Sequence, residues 1–351
     1  MRNKSMTLGQ AKILRNILWR CLVMAVLLVM SGMGPASAQA QENLTYLRVG
    51  TGPTGEAHFH IGGLIASALS NPPGSQPCER GGNCGVPGVI GLAVSTNGSA
   101  ANAEALGKGR LDLALVQADV GMWAFQGAPP FTGHPIPSLR SIARLYQDSL
   151  HLVSTPQSKI LSPRDLRGKR VSLGEKGSGT LIHARQVLTA WGLKESDVKA
   201  QFLRSSAAAD ALQNKQLDAF FVLDAVPVPT IVELAKTTPL TLVPLVGPNA
   251  DVLRKANHLL RPIDIPADSY AGITAAVPTL SVGVDLAVSS TLANDMVYAI
   301  CKSLWHPTTV KMLTDSQSLG DSLSLDSALA GQGLMLHPGA EKYYAEIGVL
   351  N

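Results

Sequence analysis

The chain has 351 residues with 29 Lys and Arg against 25 Asp and Glu, a formal net charge of +4 and a sequence pI near 8.9. Five of the basic residues and none of the acidic ones fall within residues 1–38, so the remainder carries 24 basic against 25 acidic side chains. A near-neutral body excludes a charge-driven partner such as nucleic acid or an anionic membrane surface.

In chain order, the first element is a segment with Arg2, Lys4, Lys12, Arg15 and Arg20, then "CLVMAVLLVM", then "SGMGPASAQA". Basic, apolar and small residues in that order form a secretory signal peptide over residues 1–38, with cleavage expected after Ala38 or Ala40. A retained anchor is the alternative, and the apolar run is short for a bilayer span. Export places the rest of the chain in the periplasm, where disulfides persist. Cys78 and Cys84 lie in the Gly/Pro-rich "PPGSQPCERGGNCGVPG" and close a short loop, which favours a disulfide over a half zinc site or two free thiols. Cys301, in "ANDMVYAICKSLW", reads as an apolar filler on a helix.

Apolar runs at 46–52, 111–117, 141–146, 150–154, 170–174, 217–223, 240–246 and 279–289 read as strands. Helical patterns at 62–70, 99–109, 180–192, 206–215, 228–238 and 293–305 alternate with them. This alternation predicts an α/β fold with mainly parallel sheets, and the length favours two lobes.

Three loops share one pattern, in which a strand ends, small residues follow and a helix begins: "VGTGPTGEAHFHIGG" at 49–63, "VSTNGSAANAEAL" at 94–106 and "LGEKGSGTLIHA" at 173–184. Glycine admits close backbone approach, and the open N–H groups and dipole of a helix N-terminus favour an anion. Turning and capping alone would also account for any one of these loops. Phosphate motifs do not fit: the third loop lacks the Lys-Ser/Thr ending of a P-loop, and Ile182 stands where a dinucleotide fingerprint needs glycine. Neither a nucleophile elbow nor a His-Glu-x-x-His motif is present, so no enzymatic activity and no cofactor is implied. His58 and His60, two apart, read as a polar loop edge rather than a metal site, and no metal is expected.

"DLRGKRVSLGEKGSGT", "LDLALVQADVG", "ALQNKQLDAFFVLDAVPVPTI", "IPADSYAG" with "VPTLSVGVDLAVS", and "LHPGAEKYY" occur in that order between about Leu47 and Tyr344. Together they resemble the TAXI class of solute receptors, which serve tripartite ATP-independent periplasmic (TRAP) transporters. The resemblance implies a type II periplasmic binding protein, with two α/β lobes joined by hinge strands. One lobe would comprise residues 44–148 and 273–351, the other residues 149–272. It implies a monomer that takes a small carboxylate-bearing solute and hands it to TRAP membrane subunits; a receptor presenting its solute to a membrane sensor kinase is the alternative.

By motif position, Thr51, Thr54, Gly55, Phe59, Ser99, Gln117, Asp119, Ser178, Gly179 and Thr180 are expected at the ligand cleft, the last three anchoring a carboxylate. Glu56 and Asp224 depart from the family pattern. Both join the expected site, as acids that repel a second carboxylate or recruit a ligand ammonium or amide. Phe220 and Phe221 are expected to pack in the core, and Asp119 to cap the helix that follows it if it does not touch the solute.

Overall fold

The computed structural model describes residues 19, 44–315 and 323–350; the signal segment and its cleavage site lie outside the described residues. From Leu44 the chain forms one compact unit of two α/β lobes.

The first lobe opens with β1 (Thr45–Gly50), α1 (Ala57–Leu69), the short strands β2 (Ser70–Asn71) and β3 (Val86–Pro87), β4 (Val89–Val94), α2 (Ser99–Gly107), β5 (Leu113–Gln117) and α3 (Ala118–Gln126). β6 (Leu139–Ser154) then crosses to the second lobe. There follow β7 (Arg170–Ser172), α4 (Gly179–Ala190), β8 (Lys199–Gln201), α5 (Ser205–Gln213), β9 (Ala219–Asp224), α6 (Pro229–Ala235), β10 (Thr241–Leu242), α7 (Pro248–Ala256) and β11 (Arg261–Ile265). β12 (Val277–Ser289) crosses back, and α8 (Asn294–Leu304), α9 (Pro307–Thr314) and α10 (Pro338–Glu346) complete the first lobe.

The strand order is β4-β1-β5-β12-β6-β9-β7-β8. Each lobe repeats one permutation: its second strand, its first, its third, then a crossing strand. Strands within each trio run parallel, and β6 and β12 pair antiparallel to their neighbours and to each other. This is the α/β, type II periplasmic binding protein arrangement that the sequence led us to expect.

β5 is buried at every residue, as a strand covered on both faces must be. The first lobe packs α1 and α8–α10 on one face of its sheet and α2 and α3 on the other. In the second lobe Phe221 and Phe220 point into cores on opposite faces of β9, so both are packing residues. Residues 141–146 and 150–154, expected as two strands, are one: the polar run Gln147-Asp148-Ser149 lies in mid-strand, where β6 changes lobes, and is not a turn.

Cys78 and Cys84 form a disulfide with Cα atoms 4.9 Å apart, and Cys301 is free and buried in the first-lobe core. Closing so short a loop contributes about 2 kcal/mol, so equilibrium denaturation of Cys84→Ser should show a loss of that order. An unchanged midpoint, or two free thiols in the 72–88 peptide under non-reducing mass spectrometry, would contradict this.

Candidate functional site

The loops that matter all leave the carboxyl ends of strands, where open α/β sheets bind ligands. Residues 51–56 connect β1 to α1, 95–98 connect β4 to α2, β5 runs directly into α3 at Gln117, and 173–178 connect β7 to α4. The lobes are closed on one another through these loops. Ala57 N–H donates to Asp224 Oδ2 (2.8 Å), Thr230 Oγ1 to the Gly55 carbonyl (2.7 Å) and Ala101 N–H to the Gly177 carbonyl (3.0 Å). Asn97 donates to the Lys176 carbonyl (3.1 Å) and accepts from Arg204 (3.2 Å).

Two helix N-termini face each other across this seam. A Cβ on Gly98, just ahead of α2, would lie 3.5 Å from Ser178 Cα and 3.9 Å from Gly179 N. Ser178 caps α4: its hydroxyl accepts from Leu181 N–H (3.1 Å) and donates to the Glu175 carbonyl (2.7 Å). Thr180 Oγ1 accepts from Leu223 N–H (3.2 Å), which ties α4 to β9. Among the described residues, the N–H groups of Gly179 and Thr180 have no acceptor, as expected of a first helical turn. Gly174 and Gly177 turn the loop with φ of 95° and 87°. Gly179 is needed for another reason: a Cβ there would lie 2.0 Å from Gln117 Oε1.

Gln117 links this end of the seam to an acidic cluster. Its Nε2 donates to Asp148 Oδ2 (2.6 Å), which also contacts His58 Nε2 (2.8 Å). His58, Asp148 and Asp224 are 3%, 0% and 0% exposed, and Glu56, ahead of α1, is partly buried beside them. Tyr146 stacks edge-on against His58 with ring centroids 5.7 Å apart. Burial and the neighbouring carboxylate of Asp224 push Glu56 up; burial also pushes Asp224 up, with His58 opposing and Asp148 adding to the rise. For His58 burial favours the neutral ring, but Asp148 overrides it and holds the imidazole up at about 9. The Tyr146 hydroxyl, Asp148 Oδ1 and Gln117 Oε1 are buried and have no partner among the described residues. Each such atom costs about 1–3 kcal/mol unless a bound group satisfies it.

The residues singled out from sequence fall into groups. Glu56, Gln117 and Asp224 meet at the cluster; Ser99, Ser178, Gly179 and Thr180 line the facing helix starts. The Ser99 hydroxyl is engaged by Gln117 N–H (3.0 Å), and the buried Thr51 hydroxyl donates to the Val94 carbonyl (2.9 Å). Gly55 is an interlobe acceptor, Thr54 is exposed and Phe59 is half-buried. Asp119 is not the cap of α3, which is Gln117; it lies inside the first turn, Oδ1 accepting from Val120 N–H (2.7 Å), and its Oδ2 bridges the lobes, contacting His183 Nε2 (2.8 Å) and accepting from Asn257 Nδ2 (2.6 Å).

His58 does not sit at a loop edge with His60. Both lie on α1, where two residues turn about 200° round the helix axis, so His58 faces inside and His60 outside. Sequence reasoning missed Asp148 and Tyr146, whose signal is a polar residue and an aromatic inside an otherwise apolar strand. It also missed Arg204, which pairs with Glu175 (2.9 Å) at the rim of the seam.

Many solved structures are similar to this chain, three of them as follows. The periplasmic aliphatic sulphonate binding protein SsuA from Escherichia coli is 15% identical, with 86% of this chain and 78% of that one covered and a TM-score of 0.42. The P235GK mutant of ArgBP from T. maritima is 12% identical, covering 77% and 94%, with a TM-score of 0.46. PhnD1 from Prochlorococcus marinus (MIT 9301) in complex with methylphosphonate is 11% identical, covering 87% and 99%, with a TM-score of 0.49. A family model matches residues 49–348, most of the chain, and on that match the chain belongs to the NMT1-like family.

Proposed function

We propose that this chain is a periplasmic solute receptor of the TAXI kind and not an enzyme. Its lobes, residues 44–148 with 273–351 and residues 149–272, close on a small carboxylate-bearing solute, which passes to TRAP membrane subunits. The observation that carries the reading is the apposition of the α2 and α4 N-termini across the interlobe seam, with Gly98 and Gly179 keeping side chains out of the way. Helix N-termini attract anions, and here the N–H groups of Gly179 and Thr180, without acceptors among the described residues, lie beside the α2 start. A carboxylate held there accepts charge-assisted hydrogen bonds from the backbone, and closure removes it from water. Arg204 at the rim adds positive charge without entering the seam.

The test is the mass of the small molecule released when protein recovered from the periplasm is denatured. A stoichiometric carboxylate whose methyl ester no longer rebinds is the expected result. Recovery of a solute lacking an acid group, or ester and acid binding equally, would reject the carboxylate anchor.

A further inference from the structure

We propose that the acidic cluster is a binding site for one first-row divalent cation of the Mn²⁺ or Zn²⁺ class, with His58, Asp148 and Asp224 as ligands and Glu56 beside them. One donor atom from each of the three lies within 4.8 Å of the other two. Around an ion with bonds of about 2.1 Å, neighbouring ligand atoms stand about 3 Å apart and opposite ones about 4.2 Å, so the set is near the span of a coordination shell and needs only a small inward shift to form one. The contact of 2.8 Å between His58 Nε2 and Asp148 Oδ2 has the length of one edge of that shell.

Charge and orientation agree with the geometry. Three carboxylates face a single imidazole, and among the described residues no Lys or Arg pairs with Glu56, Asp148 or Asp224. The carboxylates are held as ligands are held by an outer shell: Asp148 Oδ2 by Gln117 Nε2, Asp224 Oδ2 by Ala57 N–H and Asp224 Oδ1 by Ala225 N–H (2.9 Å). Independent of these ligands, Tyr146 is 2% exposed, its hydroxyl has no partner among the described residues, and its ring stands edge-on against His58 with centroids 5.7 Å apart. Asp148 Oδ1 is likewise buried and unpartnered. One imidazole with carboxylates and no thiolate suits a borderline cation better than Ca²⁺, which prefers an all-oxygen shell, or a thiophilic ion.

The ligands span the molecule: His58 and Glu56 come from the first lobe, Asp224 from the second and Asp148 from the crossing strand. A bound cation therefore favours closure. On the receptor reading it also explains how an acid-rich seam tolerates a carboxylate solute, because the ion supplies the missing positive charge next to the α4 N-terminus.

The experiment is titration calorimetry of the full mature protein, stripped with chelator and dialysed, against MnCl₂ and ZnCl₂ with no solute present. One equivalent should bind, and His58→Ala and Asp224→Asn should each weaken binding by roughly 100-fold or more. His306→Ala should leave it unchanged; His306 belongs to the other group of metal-type donors, beside Cys78 and Cys84. Pulsed EPR of the Mn²⁺-loaded wild-type protein, which needs no variant to fold, should show coupling to an imidazole nitrogen. Absence of stoichiometric binding, binding lost only with His306→Ala, or an oxygen-only Mn²⁺ spectrum would overturn the proposal. Solute capture is read separately, so failure of the metal site with intact carboxylate binding would leave the receptor standing and assign the acids to a cationic group of the solute.

Discussion

Replacing Gly179 with valine will abolish solute capture while leaving both lobes folded. A Cβ at this position would lie 2.0 Å from Gln117 Oε1 and 2.8 Å from Gln117 Cδ, across the seam between the lobes. An exposed glutamine would swing away. Gln117 is 2% exposed, and its amide is held by Asp148 at 2.6 Å, so it has no free rotamer to adopt. Valine also branches where the α4 N–H groups must meet the anion, so it obstructs the anchor as well as closure. The expected loss is at least about 100-fold in affinity for the molecule released from the wild type, or about 2.7 kcal/mol. Thermal stability should change little, because each lobe keeps its own cores and a side chain with Cβ is favourable within a helix. Gly179→Ala should fall between the two, and adding Gln117→Ala to it should relieve the collision. If calorimetry finds the solute bound as tightly by Gly179→Val as by the wild type, the 173–178 loop is only a turn.

How far the sequence reached follows from what each residue's partners are. The apolar strands and the loops at their carboxyl ends were legible because periodicity and glycine placement are local. β4 was implied only by the loop at 94–106 and not delimited, because "VIGLAV" sits at the sheet edge with Val89 alone fully buried, inside a Gly/Pro-rich stretch that reads as loop. α3 was expected to follow Asp119 but its start was misplaced: it begins at Ala118, directly after β5 ends at Gln117, so no turn residues mark the boundary. The helix starts and Gly179 could be proposed from residue type alone. The chemistry of the cluster could not: His58 and Asp148 are 90 residues apart, and Ala57 and Asp224 are 167 apart. Only the crossing of β6 and closure of the second lobe bring them together. Glu56 and Asp224 came to notice as departures from a family pattern, whereas Asp148 sat in a polar run that resembles a break between strands.

The largest effect on stability is expected at a different buried pair. Asp119 on α3 of the first lobe and His183 on α4 of the second are 0% and 1% exposed and 2.8 Å apart. Asn257 and Val120 N–H complete the carboxylate's partners, and His183 Nδ1 lies 2.8 Å from the Gly179 carbonyl, so both ring nitrogens are engaged. Asp119→Ala would strand the imidazole and Asn257 in a dry site, a loss of about 3–5 kcal/mol in urea denaturation. The pH dependence has a defined sign. Burial raises Asp119, but His183 and the two other hydrogen-bond donors override it and hold the carboxyl below its usual range. That contribution is complete above the unfolded value near 4 and is lost as the pH falls through the lower folded value. Burial alone would depress His183, yet Asp119 holds it up, assisted by the Gly179 carbonyl and Asp148. Its contribution is complete below the ordinary histidine value near 6.5 and is lost as the pH rises through the higher folded value. The gap in stability between wild type and Asp119→Ala should therefore be widest from about pH 4 to 6.5 and narrow on both sides. A gap independent of pH would mean that the pair is held as a neutral hydrogen bond. A gap below about 1 kcal/mol would mean that water enters the seam and the two helices are not locked there.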